Sequence, residues 1–177
     1  MLFLCSNDDG ILAPGLATLE AAARTLGNVF VVAPDREQSA TSHSLTLHHP
    51  LRPVQLADQR WQVDGTPTDC VMLAIEALMP ARPDFVLSGV NHGPNMGEGV
   101  LYSGTVAAAM EGFLLGIPSI AFSLASRSFD HLDTAVEVAR RSAARWIQQT
   151  PCPAVMSSHG EGCTCPAAGS LAALEPW

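Results

Sequence analysis

Three short polar segments carry the side chains in this sequence that could do chemistry. The first is Asn7-Asp8-Asp9-Gly10. Such a run is ordinary turn composition, because Asn and Asp bond their own backbone and Gly supplies positive φ. Two adjacent carboxylates add something a turn does not need: their mutual repulsion calls for a proton, an Arg or a metal ion. The second segment runs from Asp35 to Ser44 and offers the hydroxyls of Ser39, Thr41, Ser42 and Ser44 together with His43. The third contains Ser88, Asn91, His92 and Asn95, then Tyr102, Ser103, Gly104 and Thr105 at the start of an Ala-rich stretch. Small and hydroxyl residues at a helix start expose free N–H groups and the positive dipole end, which suits an anion. Two carboxylates, neutral oxygen donors and an anion cradle together describe metal-assisted phosphate chemistry. His43 and His92 are candidates by location alone for protonating a leaving group, and the first reading of each is a loop hydrogen-bonder.

The elements that must position these segments alternate along the chain. Met1 to Ser6 is a short apolar strand-like run. Leu16, Leu19, Ala22, Ala23 and Leu26 repeat at helical spacing between Pro14 and Gly27. Val29 to Ala33 is a second strand, and residues 51 to 56 and 61 to 64 flank a polar turn as a hairpin. Thr66, Pro67 and Asp69 start a helix reaching about Leu78, as N-cap, first helical residue and third-position carboxylate. A helix cap accounts for them fully. Phe85 to Leu87 is a third parallel-type strand, followed by a Gly- and Asn-rich loop from Ser88 to Ser103. A helix from Gly104 to Leu115, a strand from Ser119 to Leu124 and a long helix from Leu132 to Ile147 complete the pattern. Such alternation over residues 1–150 predicts a doubly wound α/β sheet, mostly parallel, with its ligand site outside the carboxyl ends of the strands. The three polar segments fall there.

Composition narrows the chemistry further. The 177 residues are 47% hydrophobic and 15% charged, enough for one globular core. Nine basic residues against seventeen acidic ones give a net charge of -8, with no basic cluster for duplex nucleic acid or an anionic membrane. All nine basic residues are Arg, so the absence of Lys excludes Walker A NTPases, Schiff-base enzymes and protein kinases. Haloacid-dehalogenase chemistry needs Asp-x-Asp and a Lys, and a two-component receiver needs a phosphoacceptor Asp after its third strand, where Asp84 instead precedes it. Met1 to Cys5 lacks the basic flank of a signal peptide, so a cytoplasmic protein with free thiols is expected. Cys152, His159, Cys163 and Cys165 match no standard zinc spacing.

Several long motifs carry a family likeness. Ser6-Asn7-Asp8-Asp9-Gly10-Ile11, Val32-Ala33-Pro34-Asp35-Arg36 reaching Ser39, Gly65-Thr66-Pro67-Thr68-Asp69-Cys70-Val71, Ser88 to Asn95, and Tyr102-Ser103-Gly104-Thr105-Val106 resemble the SurE family of stationary-phase survival proteins. The resemblance covers residues 1–150 and implies a Rossmann-like three-layer core and a divalent-metal-dependent 5′-nucleotidase acting on nucleoside monophosphates. It places metal ligands on Asp8, Asp9, Ser39 and Asn91, with Asp8 and Asp9 central to catalysis. These are oxygen donors, suited to Mg²⁺ or Mn²⁺, with Ca²⁺ also compatible. It places the phosphate at Asn95, Ser103, Gly104 and Thr105.

The family likeness ends near Thr150. Residues 151–177 hold small residues, Cys and Pro without sustained periodicity, and are expected to be an irregular tail apart from the core. They match neither the further strand nor the dimer-forming hairpin that the resemblance implies, which is how a truncated or frame-shifted chain would read. The homodimer of the family is therefore in question. An incomplete core that leaves apolar faces of the Ser119–Leu124 strand and the following helix exposed is the corresponding expectation, and a non-catalytic remnant of the enzyme is the alternative reading.

Overall fold

The computed structural model describes residues 1–125, 132–149 and 170–174. The Cys152, His159, Cys163 and Cys165 group lies outside them. Among the described residues, seven strands form one sheet in the order β3-β4-β2-β1-β5-β6-β7: β1 Leu2–Ser6, β2 Asn28–Pro34, β3 Pro53–Ala57, β4 Arg60–Val63, β5 Phe85–His92, β6 Ser119–Leu124 and β7 Ser170–Leu174. Every neighbouring pair is parallel except the β3–β4 hairpin.

Strand periodicity divides the core into two layers. Phe3 and Cys5 of β1, with Phe85 and Leu87 of β5, pack on one face against Leu16 and Leu19 of helix α1 (Pro14–Arg24) and Ala135 and Ala139 of α4 (Leu132–Gln149). Leu4 and Val86, one residue out of step, pack on the other face against Val71 of α2 (Pro67–Leu73) and Ala108 of α3 (Gly104–Leu114). Helices on both faces of a mostly parallel sheet make the three-layer α/β sandwich that the alternation predicts.

Three details differ from the sequence reading. The Ser88-to-Ser103 segment is not loop from its start, because β5 runs on to His92. After an irregularity following Ser88, its ladder with β6 resumes at Asn91↔Ser123, and this pairing overrides the loop-like composition. The helix after Thr66 changes to a π-helical turn over Ala74–Leu78. Within 151–177, expected to be irregular, Ser170–Leu174 pairs in parallel with β6 along its outer edge. β6 is buried throughout, and Ala135, Ala139 and Ala143 of α4 are buried as well.

The strand order sets where a ligand can sit. The chain leaves β1 through α1 toward β2, and leaves β5 through α3 toward β6 on the opposite side. The carboxyl ends of β1 and β5, paired up to Ser6↔Ser88, therefore flank the point where the winding reverses. Crevices of this kind are where open α/β sheets bind ligands.

Candidate active site

A cavity of about 460 Å³ opens at that point. Asp8, Asp9, Ser39 and Asn91, drawn from three separate segments, all line it. Asn95 and Ser103 line it too, whereas Gly104 and Thr105 do not. His92 stands on the wall, while His43 is turned away, its Nε2 lying 2.7 Å from Glu111 Oε2 on α3. Of the two histidines considered for proton transfer, only His92 is placed to meet a ligand. Glu37 and Tyr102 also line the cavity, though neither was given a site role from sequence. Ser39 Oγ donates to Glu37 Oε1 at 2.6 Å, and a carboxylate two residues from a hydroxyl was the available signal.

Each wall is held by local backbone structure. Gln38 N–H donates to Asp8 O at 2.7 Å, tying the loop that carries Ser39 to the end of β1. The same loop is held to the 3₁₀ turn Gly97–Tyr102, where Ser42 N–H donates to Tyr102 O at 3.2 Å. Asn7 Nδ2 donates to Gly10 O at 3.0 Å and shapes the acidic turn. Gly15, at the start of α1, lies so close to β5 that a Cβ would stand 1.9 Å from Val90 O. Gly104 plays the matching part for α3: a Cβ there would stand 2.7 Å from Asp8 Cβ.

The carboxylates are electrostatically strained as ions. Burial pushes Asp8 up to about 6, opposed by the Thr105 hydroxyl hydrogen bond and reinforced by the charge of Asp9. Asp9 is also raised, first by burial and then by the charge of Glu37, while the His92 backbone N–H donating to its Oδ2 at 3.3 Å works the other way. Among the described residues no Arg lines the cavity, and the chain has no Lys. An excess of negative charge in a partly dry cleft without Arg or Lys is relieved by a cation.

The donor set fits a hard divalent ion. Among the described residues no three His, Cys, Asp or Glu side chains gather as a metal-holding group. A metal here must therefore draw on neutral oxygens beside the carboxylate pair. Asn91 Nδ2 donates to Gly93 O at 2.8 Å, which leaves Oδ1 as the coordinating end of that amide. All-oxygen sets of this kind prefer Mg²⁺, Mn²⁺ or Ca²⁺.

Comparison with known proteins agrees with the motifs. The family model described as Survival protein SurE matches residues 3–162. The chain belongs to the SurE family. A relative named 5′-nucleotidase SurE from Gemmatimonas aurantiaca is 73% identical over 143 residues, covering 79% of this chain and 57% of the relative. One of the same name from Pelobacter propionicus is 55% identical over 144 residues, covering 81% of this chain and 58% of the relative. A crystal structure of the SurE protein from Aquifex aeolicus aligns with a TM-score of 0.79 at 44% identity, over 86% of this chain and 62% of that one. The chain thus spans less than two thirds of the length of these SurE relatives.

Proposed function

We propose that this SurE-family chain is a divalent-metal-dependent phosphatase that hydrolyses nucleoside 5′-monophosphates to nucleoside and phosphate in the cytoplasm. One observation carries the reading: a buried carboxylate, its half-buried neighbour and two neutral oxygen donors converge on a cavity that no Arg side chain among the described residues lines. The names of the relatives supply the substrate class.

Asp8, Asp9, Ser39 and Asn91 would hold the ion, Mg²⁺ or Mn²⁺. When bound, such an ion supplies Lewis-acid polarisation of the phosphoryl group. The rest falls to the chain's own side chains. Ser103 Oγ accepts the Val106 N–H at 3.2 Å, so its own proton is available to a phosphate oxygen. Asn95 uses one amide hydrogen on Ser123 Oγ at 2.8 Å and keeps the second for the same task. These donors stabilise charge on the equatorial oxygens as it develops. Tyr102, largely exposed on the wall, offers an aromatic face to the nucleoside.

Phosphate release from a panel of nucleoside monophosphates, with Mg²⁺ or Mn²⁺ and then with chelator, tests the reading. Turnover should require the ion. Replacing Asp9 by Asn removes a charge facing the cation and should lower kcat/KM by on the order of a hundredfold or more. Full activity of Asp9→Asn in chelator would sink the metal assignment.

A further inference from the structure

Thr105 sits at the start of α3, where a hydroxyl residue is expected to meet a phosphate, yet it is fully buried and does not line the cavity. Its hydroxyl donates to Asp8 Oδ1, so a single residue grips Asp8 across 97 positions of sequence. Asn91 Oδ1 lies 3.3 Å from the same hydroxyl oxygen. A hydroxyl has one proton, and the nearer Asp8 oxygen takes it. Thr105 Oγ1 therefore hydrogen-bonds Asp8, and its approach to Asn91 Oδ1 is a contact with no proton left to share.

We infer that Thr105 is a positioning residue for the ion site, acting through Asp8, and that it is not a phosphate ligand. The inference rests on the metal-dependent reading above and adds a role to it. With Oδ1 of Asp8 held by the hydroxyl, Oδ2 is the oxygen left to face an ion. Gly104 allows this grip, since a side chain there would meet Asp8 before the hydrogen bond could form. Ser103, in contrast, lines the cavity, so adjacent residues divide the work: Ser103 faces the ligand and Thr105 faces the protein's own carboxylate.

Thr105→Val keeps the volume and the β-branch but removes the hydroxyl, and partners that orient metal ligands typically contribute about 10- to 100-fold in affinity. The test is a calorimetric Mn²⁺ titration of the full chain without substrate, together with inhibition by inorganic phosphate at saturating Mn²⁺. Thr105→Val should weaken Mn²⁺ binding by about tenfold or more. Thr105→Ser, which restores the hydroxyl, should recover most of it. Phosphate inhibition should be unchanged in both variants once the ion is saturating. If Thr105→Val binds Mn²⁺ as the wild type does while phosphate inhibition weakens, this inference is overturned and the metal reading stands. If the serine variant folds but binds as poorly as the valine variant, the hydroxyl is not the cause and the inference also fails. A wild-type chain that binds no Mn²⁺ overturns both.

Discussion

Gly104 shows how narrowly the site depends on single atoms. In an ordinary helix start, Gly→Ala stabilises by about 0.4–1 kcal/mol through the unfolded chain. Here the added methyl would meet Asp8 Cβ at 2.7 Å, Asp8 Oδ2 at 3.0 Å and Pro67 Cγ at 3.1 Å, and overpacking of that kind costs about 1–3 kcal/mol. The clash wins, so Gly104→Ala should melt several degrees lower and bind Mn²⁺ more weakly; a higher melting temperature with intact ion binding would contradict the close approach. Asp8 itself makes a pH prediction. Its folded value of about 6 lies above the ordinary 3.8, so the ion-free protein holds the full contribution below pH 3.8 and loses it as pH rises through about 6. Glu137, lowered to about 2 from the ordinary 4.5 by Arg140 and Arg141, changes stability only below about 4.5 and does so alike in wild type and Asp8→Asn. Between pH 4 and pH 7 the melting temperature of the ion-free wild type should therefore fall relative to Asp8→Asn, and Mn²⁺ should raise it more at pH 7 than at pH 5. Parallel melting curves for the two proteins across the range would remove Asp8 as the source. Residue identity made Asp8 and Asp9 legible from sequence, since two adjacent carboxylates demand a partner wherever they lie. Thr105 was legible only as a hydroxyl at a helix start, because the anion it meets is decided by a long-range contact.

At the scale of elements, the loop between β2 and β3 is the part most dependent on its neighbours. Thr46 N–H donates to both Asp69 carboxylate oxygens at 3.1 and 3.2 Å, and Thr66 Oγ1 donates to Ser44 O at 2.7 Å. The same two side chains form the capping box of α2, where Asp69 N–H donates to Thr66 Oγ1 at 3.1 Å and Thr66 N–H to Asp69 Oδ2 at 2.8 Å. One helix cap therefore also anchors the loop that presents Ser39. The cap was readable from Thr-Pro-x-Asp spacing alone. Its second duty was not, because nothing local joins residue 46 to residue 69. Asp69→Ala strands the Thr66 and Thr46 N–H donors, and losing a cap costs about 0.5–2 kcal/mol before those are counted. The variant should lose several degrees of melting temperature, with a smaller effect on Mn²⁺ affinity than Thr105→Val. An unchanged melt with abolished turnover would make Asp69 part of the chemistry instead. The extension of β5 to His92 belongs to the same scale: Gly89, Asn91 and Gly93 have loop-like preferences, yet β5 runs through the first two, and Asn91 is held there by pairing with Ser123 of β6.

For the whole molecule, the open question is how the sheet ends beyond β6. The family frame and the alternation of strands and helices were legible because each buried strand is an apolar run bounded by turn residues. β7 was not, since Ser-Leu-Ala-Ala-Leu is as compatible with a helix as with a strand and acquires its conformation only from pairing. Its backbone register is Ala121↔Leu171, Phe122↔Ala172 and Ser123↔Ala173. In a parallel ladder successive residues alternate in which edge their N–H faces, so of Ala172 and Ala173 one points its N–H toward β6 and the other away. Proline at the first removes a ladder hydrogen bond, while proline at the second is tolerated as on any edge strand. One of Ala172→Pro and Ala173→Pro should therefore lower the melting temperature by several degrees, and the other should leave it nearly unchanged. At about 2–4 °C per kcal/mol for a chain of this size, a loss of 1–2 kcal/mol is readily measured. Two variants that both melt with the wild type would mean that β7 adds nothing to the fold. Two equal large losses would mean that proline acts there through something other than the ladder.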